Sequence, residues 1–174
     1  MKGNRILVLI VLLTAIAASF HSVIYARSNS PLELTLSLDK NEYKKADGIV
    51  LSLSLKNTGK KAIYVNKRFF LNGESMSAGE RDVYLTVESP SGEDLPCKVS
   101  AETGLPRTQD FILLEPGEEA KLEREKNIKY FFDFDELGKY KITAFYQNVH
   151  GEEIGVDAFK GKVISKAVII TIVE

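Results

Sequence analysis

Strict apolar–polar alternation, turn chemistry between the alternating runs and little helical periodicity predict an all-β chain, an antiparallel sandwich of about seven to nine short strands. In LELTLSLDK, Leu32, Leu34, Leu36 and Leu38 alternate with Glu33, Thr35 and Ser37, giving one apolar and one polar face. IVLSLSLKN repeats the pattern, with Leu51, Leu53 and Leu55 against Ser52, Ser54 and Lys56. The turn signal Asn57-Thr58-Gly59 follows, and AIYVN resumes as the expected antiparallel partner.

DVYLTVE sets Val83, Leu85 and Val87 inward against Tyr84, Thr86 and Glu88, and Ser89-Pro90-Ser91-Gly92 turns the chain. FILL, from Phe111 to Leu114, stops at Glu115-Pro116-Gly117-Glu118. Ala120 and Leu122, then Ile128, Tyr130 and Phe132, predict further strand. The charged stretch GEEAKLEREKN is the one helix-like segment, and its alternation suits a strand equally well. VISKAVIITIVE, rich in β-branched residues, completes the sheet system.

The N-terminus is read separately. Lys2 and Arg5 precede the apolar run ILVLIVLLTAIAA, Ile6 to Ala18, which is the profile of a signal peptide. Ser19, His21 and Ser22 interrupt the run before it reaches the roughly 20 apolar residues of a membrane span. The expectation is an N-terminal signal helix over residues 1–26, cleaved after Ala26, with a retained anchor as the alternative. Residues 27–174 then form a single domain of 148 residues, large enough to bury about 68–70% of its unfolded surface. Cys97 is the only cysteine, so no disulfide forms within the chain, and its setting in LPCKV predicts a buried thiol on a strand between Leu95 and Val99.

In LGKYKITAFY, Tyr140 follows a Gly-Lys turn and heads a strand that alternates Tyr140, Ile142, Ala144 and Tyr146. Immunoglobulin-like sandwiches place a tyrosine there, near the start of their sixth strand, with the hydroxyl bonded back to the preceding corner. Tyr140 is the candidate structural corner, with Asp135-Glu136-Leu137-Gly138-Lys139 as the corner itself. The expected architecture is therefore immunoglobulin-like or fibronectin-III-like. The succession NTGKKAIYV, LLEPGEE, FFDFDELGKYKITAFYQN and FKGKVISKAVIITI resembles the secreted immunoglobulin-like accessory domains of bacteria. These include the β-sandwich regions that precede some extracellular metalloproteases and the small proteinase-inhibitor-like sandwiches. The resemblance covers nearly all of residues 27–174 and implies a binding or chaperone-like role. It transfers no catalytic residue, and no His-Glu-x-x-His motif occurs in the chain.

Catalytic and metal chemistries find few residues. His150, in NVHGEE, is the one histidine of residues 27–174, so a Ser-His-Asp arrangement or a zinc site would have to be built around it. Two acidic groups, Asp133, Asp135 and Glu136 and then Glu152, Glu153 and Asp157, lack the spaced aspartates of a calcium loop. No enzyme activity and no cofactor or metal are expected. The formal charge of −1, or −3 without Lys2 and Arg5, gives no clustered basic face, so nucleic acid is not an expected partner.

Binding candidates remain. NKRFFLNGES places Arg68, Phe69 and Phe70 just before an Asn-Gly turn, where an aromatic pair can meet a partner; the competing reading sends Phe69 and Leu71 into the core. The polar loop from Lys98 to Asp110 is a second site for binding residues. The last strand, with Val163, Ile164, Val168, Ile169, Ile170, Ile172 and Val173, predicts cover on both faces, with Lys160, Lys162 and Lys166 protecting its edge. The expected function is an exported, non-catalytic binding module whose partner is another extracytoplasmic protein. The alternative is a structural component of the cell envelope, held by a retained N-terminal anchor or by self-association, touching the membrane only if the N-terminal segment is retained.

Overall fold

Leucines spaced by two build the first sheet. A computed structural model describes residues 30–73, 77, 82–122 and 126–174; the expected signal segment, residues 1–26, lies outside them. β1 (Leu32–Leu38), β2 (Glu42–Lys44) and β3 (Val50–Asn57) come first. β1 and β3 pair antiparallel with Leu34 opposite Leu55 and Leu36 opposite Leu53. Leu32, Leu34, Leu36, Leu51, Leu53 and Leu55 are buried while Glu33, Thr35 and Lys56 face water, as the alternation requires.

The next strands are β4 (Ile63–Asn66), β5 (Val83–Glu88), β6 (Phe111–Leu114), β7 (Glu119–Lys121) and β8 (Lys126–Asn127). β7 and β8 both pair with β3, on the side away from β1. Between β6 and β7, Glu118 N–H donates to Glu115 O at 3.0 Å and Gly117 takes φ +90°. That is the left-handed position a Pro-Gly turn reserves for glycine.

β9 (Gly138–Asn148) is the centre of the second sheet, with β5 along one edge and β10 (Gly161–Ile164) and β11 (Val168–Val173) along the other. Ser165 joins these two strands where the ladder would break. Its Oγ accepts the Ala144 N–H and its own N–H donates to Ala144 O, each at 2.9 Å. A hydroxyl thus stands in for a ladder carbonyl, so no buried donor is lost. β2 lies parallel to β11, so the sheets are antiparallel except along that seam. The apolar faces of both sheets, from Leu34 and Leu55 to Ile142 and Ile170, meet in one buried cluster.

Several sequence expectations change. The described residues hold eleven strands, not seven to nine, because short pieces such as β2, β7 and β8 are separate and the last segment divides into β10 and β11. AIYVN does not pair with β3; β4 pairs with β6 in a ribbon of their own. The reason is Asn57, whose buried amide donates to Lys61 O and Leu114 O, each at 2.8 Å, which carries the chain off the first sheet. Ile128 and Tyr130 form a 3-10 turn, because Asn127 accepts the Lys129 N–H. LPCKV is irregular backbone and Cys97 is only partly buried, its thiol 3.6 Å from Val99 O. The last strand keeps an exposed side: Ile164 and Ile169 are 45% and 58% exposed, while Val163, Ile170 and Ile172 are buried. Tyr84 points outward yet is 1% exposed. It stacks on Phe145 at 4.5 Å, and Lys162 Nζ donates to its hydroxyl at 2.7 Å.

Tyrosine hydroxyls carry several of the long connections. Tyr140 is 1% exposed; its hydroxyl donates to Glu136 O at 3.0 Å and accepts the Glu136 N–H at 2.9 Å. Tyr140→Phe keeps the ring and deletes both bonds, and is expected to cost roughly 1–3 kcal/mol in chemical denaturation; no measurable loss would deny the hydroxyl this role. Burial raises the phenols of Tyr43, Tyr140 and Tyr146 above their usual value of 10.0, Tyr43 to about 12 with help from its hydrogen bond to Asp39. A phenol that stays protonated when folded releases its proton on unfolding, so alkali favours the unfolded chain. Stability is therefore expected to hold below pH 10 and to fall between pH 10 and about 12. Denaturant midpoints across that range check this; a flat profile would contradict it.

Candidate functional site

The ribbon of β4 and β6 stands on a buried polar cluster. Asp82, immediately before β5, is 2% exposed. Its Oδ1 accepts from Asn66 Nδ2 at 2.7 Å and Arg68 Nη2 at 2.9 Å, and its Oδ2 accepts from Arg68 Nε at 3.1 Å and the Phe70 N–H at 3.1 Å. Both oxygens of the ionised group are used, and the guanidinium engages them as a fork, which is the condition for a buried ion pair to hold. Asn66 in turn accepts the Arg68 N–H at 3.0 Å and donates its own N–H to the Tyr146 hydroxyl at 3.0 Å.

This cluster fixes a strained backbone. Phe69 has φ +47°, the left-handed region, between two residues whose donors reach Asp82. Such a conformation costs on the order of 1–3 kcal/mol and persists where its surroundings over-determine it. The Phe69 ring is 1% exposed and lies 6.2 Å from Tyr146. The same cluster gathers the long loop: Arg68 Nη1 donates to Gly104 O at 3.2 Å, and the Asn72 amide exchanges hydrogen bonds with Ala101 at 2.7 and 3.2 Å.

The sequence candidates therefore separate. Arg68 is committed to Asp82 and Phe69 to the core, while Phe70 alone of the trio reaches the surface, at 36% exposure. Loop residues 98–110 are brought to the same region by Arg68 and Asn72. Tyr140 is buried, with its hydroxyl bonded to Glu136. His150 lies beside Glu153, at 3.2 Å. Hydrogen bonds from its own and the Gly151 backbone N–H, with Lys160 nearby, pull the Glu153 carboxyl down to about 2. Lys98 pairs with Asp133. Among the described residues, no group of three or more His, Cys, Asp or Glu is placed to hold a metal ion.

Sequence reasoning did not find the exposed patch on the ribbon. Tyr64 on β4 and Leu113 on β6 are direct cross-strand partners, each 39% exposed, and Ile112, on the opposite face of β6, is also 39% exposed. Adjacent apolar residues in FILL were the available signal. They read as core because the partner strand and its register were not visible.

No protein-family model matches the chain, and no curated protein matches it. Among the solved structures that are similar in part are the following two. A β-glucosidase from Erythrobacter marinus is 18% identical, with 82% of this chain and 15% of that chain covered at a TM-score of 0.37. The sporulation control protein Spo0M from Bacillus subtilis is 12% identical, with 83% of this chain and 50% of that chain covered at a TM-score of 0.43. This chain thus spans no more than half the length of either, and at these scores neither similarity bears on what it does.

The buried cluster makes a direct prediction. Asp82→Ala leaves Arg68, Asn66 and the Phe70 N–H without their acceptor, and loss of one partner of such a pair costs about 3–5 kcal/mol. Urea unfolding should show a loss of that order, while Lys141→Ala, which removes the exposed pair with Glu88, should change stability by about 1 kcal/mol at most. Equal effects would contradict the assigned role of Asp82.

Proposed function

We propose that this chain is an exported, non-catalytic binding module that acts in the extracytoplasmic space on another protein. The observation that carries the reading is the Tyr64–Leu113 pair, an exposed apolar patch on a ribbon held by the Asp82 cluster. Exposed aromatic and aliphatic groups on a rigid support bind at low entropic cost, because little has to be ordered on association. Export rests on the run from Ile6 to Ala18 behind Lys2 and Arg5. The finer architecture that accompanies this reading is an immunoglobulin-like or fibronectin-III-like sandwich. It is supported by the Tyr140 bond to Glu136.

A second reading, a structural component of the cell envelope that self-associates, is favoured by one observation. Ile164 and Ile169 are exposed on the outer face of the second sheet, where another copy can cover them.

The test is a pull-down from extracytoplasmic extract with the exported protein as bait, beside a Tyr64→Ser/Leu113→Ser version of equal stability. A partner held by the native bait and lost by the variant is the expected result. Absence of any specific partner, with self-association reversed by Ile169→Lys, would transfer the assignment to the envelope component.

A further inference from the structure

The outer edge of β6 is built to accept one more strand. Lys67 N–H donates to Asp110 O at 2.8 Å, which makes Asn66 and Phe111 a non-hydrogen-bonded pair in the antiparallel ladder. Hydrogen bonding then alternates: Val65–Ile112 and Ile63–Leu114 exchange bonds, and the peptide groups of Tyr64 and Leu113 point away from each other. On the β4 side the outward carbonyl of Tyr64 accepts the Phe159 N–H at 2.9 Å. On the β6 side, Leu113 N–H, Leu113 C=O and Phe111 C=O face the open edge, since among the described residues β6 has β4 as its one strand partner.

The side chains stop short in the same place. Val65 is 0% exposed, yet its direct partner Ile112 is 39% exposed. The core-facing row ends at Ile112 without a neighbour to complete it. Other free edges are protected differently: β10 is flanked by Lys160 and Lys166 and carries Lys162, and β1 carries Glu33, Thr35 and Ser37 on its outer side. β6 contains no charge and exposes two adjacent aliphatic residues, the kind of edge that soluble proteins otherwise avoid.

Charge selects the occupant. Asp110 precedes β6, and Glu115 and Glu118 follow it. A second copy paired antiparallel on this edge would bring Asp110 of each chain to within one residue of Glu115 of the other at both ends, and like charges at such positions oppose pairing. The geometry points to an extended peptide segment of a partner protein, apolar at its centre and carrying Lys or Arg at its ends, which adds as a strand to β6. This inference rests on the binding-module reading and names the partner's chemistry.

The probe is an acetylated heptapeptide of alternating valine and threonine with lysine at both ends, titrated into the exported protein while backbone amide resonances are followed. The expected result is a saturable shift at Leu113, with binding weakened about tenfold or more when alternate peptide nitrogens are methylated or when glutamate replaces the terminal lysines. Leu113→Pro removes the outward donor without touching the β4 ladder and should weaken the peptide by a similar factor; if that variant does not fold, Ile112→Lys serves in its place. No shift at Leu113, equal binding of the methylated peptide, or a native dimer that Leu113→Pro dissociates would each overturn the proposal. A pull-down partner lost with Tyr64→Ser/Leu113→Ser but kept with Leu113→Pro would overturn the added strand and leave the binding module standing, whereas no partner at all would remove the underlying reading.

Discussion

Asp82 is the point on which three parts of the molecule converge. Its side chain holds Asn66 at the end of β4, Arg68 and the Phe70 N–H, and its carbonyl accepts the Gln147 N–H of β9 at 2.8 Å. A carboxylate this deeply buried is tolerated because every lone pair that matters is met by a donor and its charge by a guanidinium. The cost of desolvating the charge is offset only in one arrangement, so the cluster specifies geometry as much as it stabilises. The left-handed Phe69, the position of the 98–110 loop and the placement of the ribbon follow from that arrangement.

Side chains also complete the backbone where regular pairing fails. Ser165 supplies an acceptor across the break between β10 and β11, Asn57 satisfies two carbonyls at the exit from β3, and Tyr140 and Tyr146 each close a backbone group at a strand end or corner. In each case a buried peptide group would otherwise lack a partner. These substitutions let one chain divide its strands among two sheets and a ribbon without leaving unmet donors at the joints. They also leave the ribbon with one covered edge and one open one, which is where the functional argument gathers.

Much of the strand pattern was legible. Leu32 to Leu36, Leu51 to Leu55 and Tyr140 to Tyr146 alternate in the sequence and are buried by the same alternation, because a two-residue period maps directly onto the two faces of a sheet. Turn residues behaved in the same way: Pro116-Gly117 turns the chain because glycine alone accepts its φ without strain. The candidate site was less legible. Arg68, Phe69 and Phe70 stand together in sequence, but only Phe70 is at the surface, since Asp82, fourteen residues beyond Arg68, claims the guanidinium. FILL reads as an ordinary core strand, and two of its four residues are exposed.

By itself, the sequence determined that the longer alternating segments are extended, which side of most of them is apolar, where several tight turns fall, and that the chain holds one cysteine and a small net charge. These are properties of neighbouring residues, and periodicity and turn chemistry report them directly. Tertiary structure alone decided that β4 pairs with β6 instead of β3, that β2 crosses to lie parallel to β11, and that Asp82 gathers Asn66 and Arg68. Those choices depend on which distant backbone and side-chain groups can satisfy one another at once, and that is a condition on three-dimensional arrangement which local pattern does not encode.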